Sequence, residues 1–169
     1  MATIYQTFAP EEAVFMSSNF PQYVRFLGTN FPVTGLAFDG GAIDEDSFFK
    51  FSATNYGSGN LTLTVYWYAD TAASGNVVWG SRLAAITANT DTQDVETKSF
   101  ATAQTQQDTH LGTTNQRLHS VDLTISNLDS MANGDVCWLH VYRDASDTTN
   151  DTLTGDAIII LLRLSYSDT

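Results

Sequence analysis

Hydrophobic and polar residues alternate along most of the chain after residue 33. In the clearest segment, Leu61, Leu63, Val65 and Trp67 alternate with threonine and tyrosine residues. A period of two places every second side chain on one face of a β-strand, so this pattern is typical of strands with one buried face. The segments that it predicts as strands are about 34–38, 46–54, 60–69, 76–86, 95–105, 117–126, 135–143 and 156–165.

Clusters of glycine, asparagine and aspartate lie between these segments. Examples are Asp39-Gly40-Gly41, Ser74-Gly75-Asn76 and Asn133-Gly134-Asp135. These residue types favour tight turns, because glycine adopts positive φ freely and asparagine and aspartate side chains bond to nearby backbone groups. Eight strands without a helical pattern between them predict an all-β fold, an eight-stranded antiparallel β-sandwich of the jelly-roll type. The side chains predicted to be buried in it are Leu63, Val65, Leu123, Ile125, Leu139 and Val141.

The first 33 residues differ in composition from the rest. They contain all three prolines and five of the ten phenylalanines of the chain. Proline lacks a backbone N–H and restricts the preceding residue to extended conformations. We therefore predict an extended, Pro/Phe-rich N-terminal arm over residues 1–33 and a jelly-roll β-sandwich domain over residues 34–169.

The arm has two possible roles. It either wraps its own domain or reaches a neighbouring molecule. In the second case, we expect it to be poorly ordered in the free protein, because ordering it costs about 1–2 kcal/mol of backbone entropy per residue. Burial of its aromatic rings would offset that cost on a partner surface. The predicted anchors are Phe8, Phe15 and Phe20.

Two predicted strands are apolar on both faces. The run from Ala157 to Leu162 is entirely apolar, and Phe48 belongs to a similar run. A strand of a sandwich turns only one face to the core, so its second apolar face needs another cover. Either the arm or a second subunit provides it, and such patches often mark interfaces. We therefore predict a homo-oligomer, with a trimer favoured, through Phe48, Ile158, Ile160 and Leu162.

Charge and composition exclude several classes of function. The net charge is −12 and only seven residues are lysine or arginine, so no basic patch is available for nucleic acid. A single cysteine, Cys137, permits neither an intramolecular disulfide nor a cysteine-based zinc site. The apolar run that ends at Leu162 is far shorter than the ~20 residues of a membrane helix, and the first residues lack a secretory signal. We expect no nucleic-acid partner, no membrane association and no export by that route.

The sequence contains no catalytic motif. Its histidines, His110, His119 and His140, are too far apart to share one face locally, and we predict that they act singly. Residues 144–156 supply oxygen groups that calcium prefers, but the same residue types are common in turns. Paired carboxylates of a glycosidase would need a separation that the sequence does not show. We predict no catalytic residues, no cofactor and no metal site, and calcium binding by residues 144–156 stays open.

Aromatic side chains suggest one further kind of site. The faces of tyrosine and tryptophan rings suit the C–H surfaces of sugars. Alternation turns Trp67 toward the core, whereas Tyr66 and Tyr68 point the other way. We treat Tyr66 and Tyr68 as candidate glycan contacts, although packing in the core or at an interface is the favoured interpretation of these rings.

Several short motifs follow one another through the second part of the chain. They are Ala37-Phe38-Asp39, Tyr66-Trp67, Gly75-Asn76-Val77-Val78-Trp79, Tyr142-Arg143-Asp144-Ala145-Ser146-Asp147, Gly155-Asp156-Ala157 and Tyr166-Ser167-Asp168. In their order, over about residues 34–168, they resemble the motifs of jelly-roll decoration (cement) proteins of tailed-bacteriophage capsids.

The resemblance implies a non-enzymatic structural protein of the virion. Such a protein binds the major capsid protein on the outer capsid surface and stabilises neighbouring capsomers. An acidic, cysteine-poor chain without a signal fits an exposed outer surface and assembly in the host cytoplasm. The alternative is a β-sandwich module that binds a glycan or a receptor, as in a head fibre or a tail tip.

Overall fold

A computed structural model describes residues 2–71 and 73–168 of the chain. These residues form ten β-strands and one short 3-10 helix, η1. The elements in chain order are β1 (Thr3–Phe8), η1 (Pro10–Glu12), β2 (Gln22–Phe26), β3 (Val33–Phe38), β4 (Glu45–Ser52), β5 (Ser58–Ala69), β6 (Asn76–Ile86), β7 (Gln104–Thr109), β8 (His119–Ile125), β9 (Val136–Arg143) and β10 (Ala157–Ser167). None of the helical residues in the described ranges forms a segment long and apolar enough to span a membrane.

The strands form two antiparallel sheets. The six-stranded sheet has the order β2-β3-β10-β5-β8, and β1 also pairs with β10. β3 pairs with the first residues of β10, from Ala157, and β1 pairs with its later residues, from Leu162 to Ser167. The four-stranded sheet has the order β4-β9-β6-β7. The fold is therefore an all-β sandwich of two antiparallel sheets, as the alternation predicts.

The core lies between the two sheets. All six side chains that the alternation predicts to be buried are at most 1% exposed: Leu63, Val65, Leu123, Ile125, Leu139 and Val141. Trp67 and Trp79 also lie in this core, with their ring centres 6.2 Å apart. The prediction of the core is confirmed.

The predicted strand count of eight is wrong, because two strands come from residues assigned to the arm. β1 pairs with β10, and β2 pairs with β3, so both belong to the six-stranded sheet. Phe8 is 4% exposed and packs on Phe49 and Phe51 in the core. Hydrogen bonding and burial thus tie these residues to the sandwich of their own chain, and Phe8 is not available as an anchor for a partner.

The strand predicted over 95–105 is also displaced. Its observed counterpart, β7, begins only at Gln104. In the preceding loop, the Asp94 side chain accepts a hydrogen bond from the Glu96 N–H, and the Asp94 carbonyl accepts one from the Thr97 N–H. Such local bonds compete with a strand ladder, so residues 94–97 form a turn rather than part of the sheet.

The second apolar face of β10 is covered mainly by its own chain. Ile158 is 1% exposed and packs with Ala37 and Tyr68 on the outer face of the six-stranded sheet, beside Val24 of β2. Leu162 is 1% exposed and lies in the main core. The role in subunit contact predicted for Ile158 and Leu162 is therefore not compatible with their burial. Ile160 is partly exposed, so its predicted role in subunit contact stays a prediction.

A buried ion pair connects β9 to the loop before β10. The Arg143 guanidinium is fully buried and binds Asp151 through Nε at 2.9 Å and Nη2 at 2.6 Å. It also donates to the carbonyl oxygens of Phe38, Leu153 and Gly155. Asp151, for its part, accepts the Val78 N–H. One side chain thus satisfies three carbonyls and one carboxylate that are otherwise removed from water.

The only cysteine of the chain lies in the centre of the four-stranded sheet. Cys137 belongs to β9, pairs with Phe51 on β4 and Ala85 on β6, and is fully buried. Burial raises the pKa of its thiol to about 12. The thiol is therefore protonated and chemically inert in the folded protein.

Candidate functional site

The outer face of the four-stranded sheet carries a groove of about 740 Å³. Strands β4, β6 and β9 form its floor, and the segment after η1 and the loop before β7 form its walls. The side chains that line it include Glu12, Val14, Phe15, Met16, Asp46, Phe48, Lys50, Arg82, Ala84, Val95, Glu96, Lys98, Phe100 and Trp138. We call this feature the groove.

Strand register places the floor residues in two rows. Phe48, His140 and Arg82 stand side by side on β4, β9 and β6. The next row has Lys50, Trp138 and Ala84 in the same order. Because side chains alternate along a strand, both rows face away from the core residues of the same strands.

The wall beside β4 is built by the segment that the sequence assigns to the arm. Val14 exchanges two backbone hydrogen bonds with Phe48, at 2.9 and 3.0 Å, and the Asp46 N–H donates to the carbonyl of Asn19 at 2.8 Å. These bonds cover the edge of β4. They also place Phe15 in the groove, with its ring 5.7 Å from that of Phe20.

A chain of hydrogen bonds crosses the floor of the groove. Arg82 donates from Nε to Nδ1 of His140 at 2.8 Å, and Nε2 of His140 lies 2.6 Å from Oδ1 of Asp46. Since Nδ1 accepts a hydrogen bond, the neutral imidazole carries its proton on Nε2 and donates it to Asp46. Burial lowers the pKa of His140, although the hydrogen bond to Asp46 opposes that shift. His140 is thus held neutral between a cation and an anion.

Aromatic rings fix this network in place. Phe48 and Tyr142 both stack on the His140 ring, with ring centres 4.7 and 5.0 Å away. Arg82 lies 5.2 Å over the centre of the Phe100 ring. Tyr142 has room because residue 80 is glycine: a Cβ there would lie 2.1 Å from the Tyr142 ring. The guanidinium of Arg82 is therefore held in one position, which limits the entropy it would lose on binding.

Trp138 lies on the floor of the groove and keeps one part of its ring open to solvent. It is partly exposed, and no aromatic ring among residues 2–71 and 73–168 packs on it. Its neighbours across the strands are the long side chain of Lys50 and the methyl group of Ala84. A tryptophan beside an alanine leaves space for a flat ligand on the sheet.

The charges of the groove are balanced, unlike those of the whole chain. Lys50, Arg82 and Lys98 line it together with Asp46, Glu12 and Glu96. Three of the seven basic residues thus lie here, although the chain has a net charge of −12. Lys98 is paired with Asp129 at 2.8 Å. Donors and acceptors of hydrogen bonds therefore stand together around the rings.

The candidate contact residues from the sequence are distributed over the molecule. Phe48 and Phe15 lie in the groove, and Phe20, at 43% exposure, lies next to Phe15. Tyr66 lies on the opposite side of the sandwich, on the outer face of the six-stranded sheet, where Arg163 packs 5.6 Å from its ring. Tyr68, on that same face, is 9% exposed, and burial raises the pKa of its hydroxyl. Neither of these tyrosines contributes to the groove.

Sequence reasoning missed Trp138, Arg82 and Phe100 as site residues. The signal for Trp138 was present, because it lies on the β9 face opposite Cys137 and Leu139. Arg82 and Phe100 had no local signal. Their place in the site depends on strand register and on the course of a loop.

The expectation that the histidines act singly is wrong for two of them. His110 and His119 are both buried, with ring centres 4.5 Å apart, and the His119 ring stacks on Trp67 at 4.7 Å. Nε2 of His119 accepts the Leu111 N–H. Burial, and then the neighbouring His110, lower the pKa of His119.

The acidic residues near the end of the chain are engaged with protein groups. Asp151 binds Arg143, and Asp147 accepts hydrogen bonds from Asn150. Within the described ranges, no three His, Cys, Asp or Glu side chains are grouped so that they could hold a metal ion.

Comparisons with known proteins show similarity in fold but not in sequence. No family model matches the chain, and no curated protein matches it in sequence. Among solved structures, a mannan-recognising carbohydrate-binding module, TmCBM27, is 9% identical, with a TM-score of 0.51 and 99% of each chain covered. The family 11 carbohydrate-binding module from Clostridium thermocellum is 8% identical, with a TM-score of 0.47, over 95% of this chain and 87% of that one.

A third structure is the C-terminal family 6 module of LamC from Zobellia galactanivorans. It is 13% identical, with a TM-score of 0.45, over 95% of this chain and 98% of that one. At such identities the likeness concerns the fold alone, a β-sandwich of two antiparallel sheets.

Proposed function

We propose that the chain is a non-enzymatic glycan-binding module and that a neutral polysaccharide binds in the groove. The observation that carries the proposal is the partly exposed ring of Trp138, on which no aromatic ring of the described residues stacks and which lies beside charged donors and acceptors. A neutral ligand is favoured because a net charge of −12 repels polyanions at long range.

The groove offers the two kinds of contact that a sugar needs. One face of a pyranose ring is rich in C–H groups and packs on an aromatic ring. The hydroxyl groups around the ring both donate and accept hydrogen bonds. Lys50 and Arg82 supply charged donors, and Glu12 and Glu96 supply charged acceptors, which form stronger bonds than neutral groups do.

The hydrogen-bond network in the floor of the groove supports this function. Arg82 uses Nε for His140, and its two terminal amino groups have no hydrogen-bond partner within the described ranges. His140 is in turn fixed by Asp46 and by the rings stacked on it. We infer that this network positions the guanidinium for the hydroxyl groups of a ligand.

The test is binding to a panel of soluble polysaccharides, measured by affinity electrophoresis and calorimetry. The panel includes mannan, because the structural neighbour TmCBM27 recognises it. Stacking of a nucleic-acid base on an aromatic side chain is worth about 1–3 kcal/mol, and we take the same value for a sugar ring. For a polysaccharide that binds, we therefore expect Trp138→Ala to weaken binding by about fivefold or more.

The matched control is Tyr66→Ala on the opposite face of the sandwich. It also removes an aromatic ring, but it leaves the groove intact. Binding that survives Trp138→Ala and is lost in Tyr66→Ala would move the site to the six-stranded sheet. No binding to any member of the panel would contradict the proposal.

Capsid decoration stays a prediction with its own test. Of its three proposed anchors in the arm, Phe20 is the one that is more than two-fifths exposed. Cosedimentation of the chain with capsid shells would support this role, and Phe20→Ala should then weaken it.

A further inference from the structure

Most free edges of the two sheets are covered or polar. Backbone bonds from Val14 and Asn19 cover the edge of β4. The edge strand β8 exposes Ser120, Asp122 and Thr124. β7, from Gln104 to Thr109, consists entirely of polar residues. Polar edges of this kind discourage the addition of another strand.

The edge formed by β2 is different. Its strand, Gln22–Phe26, pairs with β3 on one side, and no strand of the described residues pairs with its other side. Tyr23 is 48% exposed and Phe26 is 41% exposed. Between Gln22 and Phe26 there is neither a proline nor a lysine to block a further strand.

The hairpin from β2 to β3 extends this apolar edge. Leu27 and Phe31 lie in the connection between the two strands and are 73% and 69% exposed. Together with Phe26 they form an apolar tip on the end of the edge strand. Three large apolar side chains so close together are unusual on the surface of a protein without a partner.

We propose that β2 pairs antiparallel with β2 of a second copy of this chain, giving a two-fold dimer with one continuous sheet. Two-fold symmetry places each contact twice in the interface. In a strand, the backbone N–H and C=O groups of every second residue point toward the same side. Two residues that face each other in an antiparallel pair point either both toward the partner strand or both away from it. In a pair of identical strands, the numbers of two facing residues are therefore both even or both odd. Full overlap of β2 then requires a register centred on Val24.

This register brings complementary charges together. It places Arg25 of one copy directly opposite Tyr23 of the other, on the same face of the sheet. The Tyr23 hydroxyl donates to Oε1 of Glu11 at 2.8 Å. Within the described ranges Arg25 has no ion pair of its own. In the dimer, Arg25 therefore lies over the Tyr23 ring and next to the Glu11 carboxylate of the other copy, and the same contact recurs by symmetry.

The test is the mass of the full chain by sedimentation and light scattering over a range of micromolar concentrations. We expect a concentration-dependent dimer, with twice the 18.5 kDa mass of one chain. Arg25→Glu and Glu11→Arg should each raise the dissociation constant by about tenfold or more, because each places like charges together at both symmetric contacts. The double variant restores opposite charges, so its dissociation constant should return close to that of the unchanged chain.

The control is Lys50→Glu, which makes the same change of charge on the floor of the groove. It should leave the dimer intact and weaken polysaccharide binding, whereas Arg25→Glu should leave the affinity for a short oligosaccharide intact. A failure of the glycan proposal is thus distinguishable from a failure of this one. A monomer at every concentration, a trimer, or a double variant no better than either single variant would overturn the proposal.

Discussion

Replacement of Arg143 by methionine should destabilise the chain more than most single substitutions. Methionine fills much of the same volume but removes every donor of the guanidinium. The carboxylate of Asp151, whose side chain is 3% exposed, then keeps one donor among the described residues, the Val78 N–H at 3.0 Å. Breaking a buried ion pair from one side costs about 3–5 kcal/mol, because the remaining charge is buried without compensation.

Three carbonyl groups lose a donor in the same variant. Those of Phe38, Leu153 and Gly155 accept hydrogen bonds from Arg143 at 3.2, 2.6 and 2.8 Å. We therefore expect Arg143→Met to lower the free energy of unfolding by about 5 kcal/mol, the upper end of the range for a broken buried ion pair. Since domains of this size are stable by about 5–15 kcal/mol, this is a large fraction of the total.

Urea unfolding, followed by tryptophan fluorescence, measures this loss. The slope of the unfolding free energy with urea should stay the same if the folded and unfolded states keep their surface areas. The double variant Arg143→Met with Asp151→Asn should recover part of the stability, because no buried charge remains. Arg117→Met is the control, since Arg117 makes one bond of 3.3 Å, to the Leu111 carbonyl, and should cost about 0.5 kcal/mol or less. A loss below about 1 kcal/mol for Arg143→Met would refute this reasoning.

Three further outcomes follow from the structure. Burial lowers the pKa of His119 and His140, so below about pH 6.5 the unfolded chain binds more protons than the folded chain. The unfolding temperature should therefore fall from pH 7.5 to pH 5.5. An unfolding temperature that stays constant or rises over this range would contradict the expectation. Gly80→Ala places a methyl group against the Tyr142 ring and should cost about 1–3 kcal/mol in urea unfolding, whereas a neutral effect would show that the ring moves freely. Phe8→Ala should cost about 3–5 kcal/mol by the same assay, and an unchanged stability would favour an arm that is separate from the sandwich.

The fold was predictable where one face of a strand is buried. The segment predicted over 76–86 is β6, Asn76–Ile86, and the one predicted over 135–143 is β9, Val136–Arg143. In β9, small or aliphatic core residues such as Cys137 and Leu139 alternate with larger polar or aromatic ones, and the physical period of a strand makes that pattern visible. In β1 and β2 the polar residues and the nearby prolines hide the pattern, because these strands are only partly buried.

The groove was predictable in part only. Phe48 was singled out from the sequence, but for an apolar second face rather than for a floor shared with His140. Arg82 and His140 are 58 residues apart in the sequence and meet through the pairing of β6 with β9. Neither composition nor local spacing carries such information, since strand order is set by the packing of the whole core.

The buried thiol of Cys137 can be used to measure how often the folded chain opens. The thiol of the central strand β9 faces the core between the two sheets, so a thiol-specific reagent can reach it only after the two sheets or the strands beside β9 have separated. Because the chain holds no other cysteine, each molecule is modified once, without competing sites. The rate of modification therefore measures how often the sandwich opens around β9 under native conditions, and a bound ligand on the outer face of the four-stranded sheet should slow the reaction.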